Sequence, residues 1–192
     1  MAKNVEIEIR FPINKNTFFK IKNKLKKTAK FVKKSHQIDE YFTPSHRNFV
    51  KPKNPFEWLS IRKRGNKAIL NYKHWYYPKN SDSGTHCDEF ETEISNPNQL
   101  KKIFSALDLK KLVKVEKQRE VYLYKNEFEI ALDKVRELGN FIEIETIKDF
   151  GNVKKAREKL FEFAGNLEID ISKIDKKGFP YLLMKRKGFL KF

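Results

Sequence analysis

Cysteine is nearly missing: the 192 residues hold one, Cys87. That excludes an intramolecular disulfide framework and a cysteine-built zinc cage. No apolar run nears the roughly 20 residues needed to cross a bilayer, and no apolar signal core follows Met1. A cytoplasmic location without membrane contact is therefore expected. The four histidines, His36, His46, His74 and His86, lack His-x-His or His-x-x-x-His spacing. They read as residues in or beside loops, structural or solvated rather than metal-binding. No linker, low-complexity segment or fixed repeat period divides the chain. Acidic residues are in deficit, 25 against 42 Lys and Arg, which leaves a net charge of +17. Such a surplus suits nucleic acid, an acidic membrane surface or a polyphosphate substrate, and in part it reflects a Lys-rich composition.

Apolar residues make up 39% and include seventeen Phe, so a packed globule is expected, one domain over residues 1–192. The stretch Val5-Glu6-Ile7-Glu8-Ile9-Arg10-Phe11 alternates without a break. In a strand, Val5, Ile7, Ile9 and Phe11 share one face and Glu6, Glu8 and Arg10 the other. Carboxylates at i and i+2 repel unless a cation lies between them, and a divalent metal ion is one such cation. A solvated sheet face carrying ordinary surface charges is the alternative.

A helix follows over about Asn16 to Ala29, with Phe18, Phe19, Ile21 and Leu25 able to face a core. Its outer side, continued to Lys34, is almost all Lys and is the best candidate for RNA or DNA contact. A short strand is expected at Gln37 to Phe42. Trp58 to Arg64 is the next, with Arg62 and Arg64 on one face, and Gly65-Asn66 forms a hairpin turn. Ala68 to Trp75 returns with Lys73 beside Asn71, and Tyr77 to Gly84 reads as a mobile loop. Asp88 to Ile94 carries Glu89, Glu91 and Glu93 on one face. A helix capped by Asn96 and Pro97 precedes three strands. Val115 to Tyr124 carries Lys117 and Arg119, Glu127 to Val135 carries Glu129 and Asp133, and Asn140 to Ile147 carries Glu143 and Glu145. A third helix spans about Asn152 to Ala164, before a Gly178-Phe179-Pro180 interruption and a short apolar segment, Tyr181 to Met184.

About eight strands, most with a charged face, permit an open antiparallel sheet or a closed barrel. In a barrel the charged faces converge, and the two Glu-x-Glu pairs, Glu6/Glu8 and Glu143/Glu145, could meet. An interior of mixed carboxylates and cations is costly without a ligand, and it matches a metal–polyphosphate complex. Carboxylates hold the metal while Arg and Lys bind phosphate oxygens.

The Glu6-x-Glu8-x-Arg10 strand resembles the Glu-x-Glu-x-Lys signature of the CYTH superfamily, the triphosphate tunnel metalloenzymes. The likeness runs through most of the chain in order: YFTP at Tyr41, LSIRKRG, ILNYKHW, EFETEI, EKQREVY, ALDKV and LGNFIEIET. Through LGNFIEIET and the late GFPYLLM segment the chain resembles the class IV adenylyl cyclase-like and thiamine triphosphatase-like branch. The resemblance implies an α+β fold, an eight-stranded antiparallel β-barrel (tunnel) with helices packed on the outside. It implies Mg²⁺ or Mn²⁺ at Glu6, Glu8, Glu143 and Glu145, and phosphate binding by Arg10, Arg62, Arg64, Lys73, Lys117 and Arg119. Glu91, Glu93 and Asp133 are implied as further tunnel acids, and Arg10 and Lys73 as catalytic residues. Arg10 replaces the signature Lys; it stays charged, so it suits phosphate binding and not proton transfer. Two reactions on a triphosphate compound fit: cyclisation of ATP to cyclic AMP and pyrophosphate, or triphosphatase hydrolysis. A non-catalytic nucleic-acid or polyphosphate binder is the reading from another class, and monomer and homodimer are both open.

Overall fold

The computed structural model describes residues 5–190. Nine strands, β1 (Val5–Glu6), β2 (Glu8–Ile13), β3 (Lys30–Pro44), β4 (Glu57–Arg64), β5 (Lys67–Tyr76), β6 (His86–Ile94), β7 (Leu109–Tyr124), β8 (Phe128–Val135) and β9 (Gly139–Thr146), form one sheet. Four helices accompany it: α1 (Lys15–Thr28), α2 (Pro97–Ala106), α3 (Val153–Asn166) and α4 (Phe179–Arg186). The sheet order is β1-β6-β5-β4-β3-β7-β8-β9-β2. Its two ends, β1 and β2, are separated in sequence by Ile7 alone.

The fold class is the expected α+β, with nine strands in place of eight. The difference lies in the first strand, which does not run unbroken from Val5 to Phe11. It divides at Ile7, whose carbonyl accepts from the Thr146 N–H at 3.1 Å, and its two parts lie beside different strands.

Two compact units emerge, residues 5–35 with 117–176 and residues 36–116 with 177–190. In the first, α1 and α3 cover one face of the β2, β8 and β9 part of the sheet. Phe18, Ile21 and Leu25 of α1 and Ala156, Leu160 and Phe163 of α3 are buried among Ile9, Phe11, Ile130, Leu132, Ile142 and Ile144. Alternation then turns Glu8, Arg10, Asp133, Glu143 and Glu145 to the opposite face. Asn14 and Asn152 start these helices, their side-chain oxygens accepting from Thr17 and Lys155 N–H at 2.9 Å each. These bonds satisfy amides that the first helical turn leaves unpaired.

The second unit repeats the arrangement. Phe104 of α2 packs with Phe42 and Ile61, ringed by Leu59, Leu70, Ile94 and Leu100, so Asp39, Arg62, Arg64, Asn71, Glu89 and Glu91 take the other face. Arg64 and Lys67 pair across the β4–β5 hairpin, leaving Gly65-Asn66 as its loop. Gly65 has φ +62°, which costs a side-chain-bearing residue backbone strain.

Three segments differ from their sequence reading. β3 begins at Lys30 and not Gln37, because Lys30–Lys34 has no apolar alternation to reveal an exposed strand. β7 likewise starts at Leu109, six residues before Val115. Phe179–Arg186 is a helix where an interruption and a short apolar run were expected; Pro180 sits in its first turn, where a missing N–H costs nothing. His36, His74 and His86 lie within strands, leaving His46 as the loop histidine. Among the described residues no helix is long and apolar enough to cross a membrane.

Candidate functional site

Each unit gathers charges on the sheet face opposite its apolar cluster, α1 and α3 lying on that cluster in the first and α2 in the second, and the register explains how. In the first unit β2 pairs β9 with Glu8 opposite Glu145 and Arg10 opposite Glu143. Glu8 of the first Glu-x-Glu motif and both glutamates of the second therefore lie on neighbouring, paired strands, while Glu6 falls in β1. On the far side of β9, Glu145 faces Glu129 of β8, giving a row of three carboxylates, Glu8, Glu145 and Glu129. One step along, β7 pairs β8 with Arg119 opposite Asp133.

The resulting network alternates in sign. Arg10 directs Nη2 to Glu8 at 2.5 Å, Nε to Glu143 at 2.8 Å and Nη1 to Asp175 at 3.3 Å. The other oxygen of Glu143 lies 2.9 Å from Arg119 Nη2. Arg119 grips Asp133 with both Nε and Nη2, at 2.8 and 2.5 Å, and Lys117 Nζ is 3.5 Å from Asp133. Asp133 is wholly buried, and Glu8, Glu143 and Lys117 are 6–7% exposed. Charges withdrawn this far from water require partners. Burial acts to lower the Arg10 pKa, but Glu8, Glu143 and Asp175 outweigh it and hold the guanidinium above its ordinary value. Arg119 is likewise raised against its burial, by Asp133, Glu143 and Glu8.

The second unit builds a smaller cluster on Arg62. Its Nη1 donates to Glu89 at 3.0 Å and to Glu91 at 2.7 Å. Asn71 donates to the same two oxygens, at 2.6 and 3.0 Å, and Lys73 stands 3.4 Å from Glu89. Arg64 is tied to buried Asp39 at 2.5 Å. Burial works to lower the Arg62 pKa, yet Asp39, Tyr41, Glu89 and Glu91 raise it overall. Two polar atoms on this face, Ser60 Oγ and Arg62 Nε, are buried without a hydrogen-bond partner among the described residues. An unmatched buried donor of a permanent cation is suited to an anionic ligand.

Of the residues singled out in the sequence, Glu8, Arg10, Lys117, Arg119, Asp133 and Glu143 meet in the first network, with Glu145 beside Glu8. Arg62, Lys73 and Glu91 meet in the second, with Arg64 beside Asp39. Glu6 is half-buried in β1. Glu93 stands apart, since its side chain is 67% exposed and pairs with the equally exposed Lys67. The sequence reading placed Glu89 and Asn71 on charged faces without assigning them to the site, and it passed over Asp39 and Asp175. Glu89 had a signal, its place two residues before Glu91, and Asp39 shares the alternation of Gln37 and Tyr41. Asp175 had none, for it comes from the segment after α3 and is anchored by its N–H on the Arg10 carbonyl at 2.7 Å.

Hard carboxylate oxygens in this number suit a divalent cation such as Mg²⁺ or Mn²⁺. Among the described residues no three of them converge on one point, because Arg10 draws Glu8 and Glu143 to itself.

Residues 4–179 match the CYTH domain family model. A presumed adenylate cyclase of Methanocaldococcus jannaschii is 31% identical over 177 residues, 91% of this chain and 96% of that protein. The solved structure of the PH1819 protein of Pyrococcus horikoshii superimposes with a TM-score of 0.79 at 29% identity, covering 94% of this chain and 99% of that chain. A presumed adenylyl cyclase of Hippeastrum, described as having a dominant triphosphatase activity, shares the fold with a TM-score of 0.64 at 19% identity, covering 96% of this chain and 95% of that chain. The chain belongs to the CYTH domain family.

Proposed function

We propose that the protein is a divalent-metal-dependent enzyme acting on a triphosphate compound, with ATP cyclisation to cyclic AMP and pyrophosphate as its reaction. The observation that carries this reading is the register of β2 against β9, which sets Glu8 beside Glu145 and Arg10 beside Glu143 on the charged face. A solvated sheet face has no use for four charged groups that are 7% exposed or less. Glu6, Glu8, Glu143 and Glu145 would hold Mg²⁺ or Mn²⁺, and the bound ion would neutralise charge on the phosphoryl oxygens. Arg62, Arg64, Lys73, Lys117 and Arg119, with Arg10, bind the phosphates by charge-assisted hydrogen bonds. The orphan Arg62 Nε supports that assignment.

In the cyclisation, the ribose 3′-oxygen attacks the α-phosphorus, its hydroxyl proton passes to water, and the bond from the α-phosphorus to the bridging oxygen breaks, releasing pyrophosphate. Lys73 and Arg10 are the proposed catalytic residues, stabilising the negative charge that develops on the leaving pyrophosphate. Arg10 keeps its proton throughout. The whole chain, residues 1–192, is proposed to be one domain.

Hydrolysis of inorganic triphosphate, thiamine triphosphate or a nucleoside triphosphate is the second reading. The Hippeastrum protein favours it, since the same fold there carries a dominant triphosphatase activity. The reactions diverge in the nucleophile, the ribose 3′-hydroxyl or water, and in which phosphorus it meets. Incubation with ATP and, separately, inorganic triphosphate, each with Mg²⁺ or Mn²⁺, followed by chromatography of the products, decides between them. Cyclic AMP with pyrophosphate supports cyclisation. Orthophosphate without cyclic AMP makes the protein a triphosphatase. Neither product across a metal and pH series overturns both.

A further inference from the structure

Residues 15–34 contain nine Lys and no Asp or Glu, so this tenth of the chain supplies more than half of the net charge of +17. The segment forms α1 and the first residues of β3, all within the first unit. Three of these lysines are engaged: Lys20 with Glu168, Lys22 with Glu120, and Lys24 with the Asn166 carbonyl. Lys15, Lys26, Lys27, Lys30 and Lys33 are exposed and make no ion pair among the described residues. A solvated helix face ordinarily offsets its lysines with acids at i+3 or i+4, whereas here Lys20 and Lys24, like Lys22 and Lys26, repel.

The same strip exposes aromatic surface. Phe19 is 44% exposed and Phe31 52%, with Val32 at 48% between two lysine groups. Phe19 falls on one side of α1 with Lys15, Lys22 and Lys26, at i−4, i+3 and i+7, and Lys134 of β8 lies 5.8 Å from its ring. Phe31 stands edge-on to Tyr122 at 5.4 Å, and the Tyr122 hydroxyl reaches the Glu120 that holds Lys22. Exposed rings and uncompensated like charges are each unfavourable in water, and residues 15–34 carry both.

We propose that this strip, along α1 and onto the start of β3, binds single-stranded nucleic acid. Phosphates are the anions that unpaired lysines attract, and unstacked bases are the planar groups that exposed Phe rings accept. Interleaving decides against a lipid surface. A membrane-binding face gathers its apolar groups and keeps cations at the rim, whereas Lys22, Lys26 and Lys30 stand between Phe19 and Phe31 in the sequence of the strip. The inference is independent of the triphosphate chemistry, since none of these side chains belongs to the charged sheet faces.

The test is fluorescence anisotropy of a labelled oligouridylate titrated with the full-length protein over a salt series. Binding should weaken as salt rises, by about 0.7 in the log–log slope for each phosphate contact. The triple variant Lys26→Gln, Lys30→Gln, Lys33→Gln should flatten that slope by about 2. Phe31→Ala should weaken binding about tenfold at an unchanged slope, the loss expected for one stacked base. Circular dichroism and triphosphate turnover of both variants serve as controls and should match the parent. No binding at low salt overturns the proposal. So does equal affinity for a duplex of the same length with no effect of Phe31→Ala, or tighter partition onto anionic phospholipid vesicles than onto the oligonucleotide.

Discussion

Glu143 is the residue on which the first network turns, because one oxygen serves Arg10 and the other Arg119. Glu143→Gln leaves two buried guanidinium groups sharing too little negative charge. A loss of about 3–5 kcal/mol in stability is expected, read from a denaturant midpoint, together with loss of triphosphate turnover. Glu93→Gln is the contrast. With its carboxylate in water, stability should stay within about 0.5 kcal/mol and turnover should not change. Glu40 gives a pH signature. Burial works to raise its pKa, but Lys101 and Lys111 outweigh burial and bring it below the ordinary glutamate value of 4.5. A carboxylate lowered by folding contributes stability above its unfolded value and loses it as pH falls through the folded one. Unfolding midpoints should therefore drop below about pH 4.5, and Glu40→Gln should make that drop smaller.

At the scale of elements, α3 holds its side of the first core through Ala156, Leu160 and Phe163. Leu160, with no exposed surface, should cost about 2–5 kcal/mol as Leu160→Ala, measured by chemical unfolding. Strand positions and their faces were legible in the chain because alternation reports burial directly. Arg62 and Arg64 share a face, and the carboxylates of β9 oppose its isoleucines, as the pattern requires. Elements that do not bury one face at a regular period were not legible. Lys30–Lys34 extends β3 while exposed, and α4 buries Phe179, Pro180, Tyr181, Leu183 and Met184 nearly all round, so it shows no polar stripe.

For the molecule as a whole, the charged faces provide the sharpest equilibrium test. A ligand that binds only the folded chain stabilises it by about 2.7 kcal/mol at a hundred times its dissociation constant. Mg²⁺ or Mn²⁺ with inorganic triphosphate should raise the melting temperature by about 5–10 °C, and the rise should vanish with EDTA. The sequence disclosed which charges share a face, since spacing along one strand determines that. It did not disclose partners on other strands. Asp175 approaches Arg10 across 165 positions of chain, and Asn71 joins Glu89 and Glu91 only because register places it there. Glu93 shows the reverse failure, a residue in phase with Glu91 whose side chain sits in water beside Lys67.

Three helices open on an asparagine, Asn14, Asn96 and Asn152, and none has an acidic residue in its first turn. Carboxylates that commonly sit at such ends are gathered on the sheet instead, which leaves the positive pole of each helix without a counter-charge. Aspartate keeps the accepting oxygen and adds that charge, worth about 0.3–1 kcal/mol per helix. The combined variant Asn14→Asp, Asn96→Asp, Asn152→Asp moves the net charge from +17 to +14, three units lower. It should elute earlier from a cation exchanger and yet melt higher, so this chain can shed basicity and gain stability in a single step.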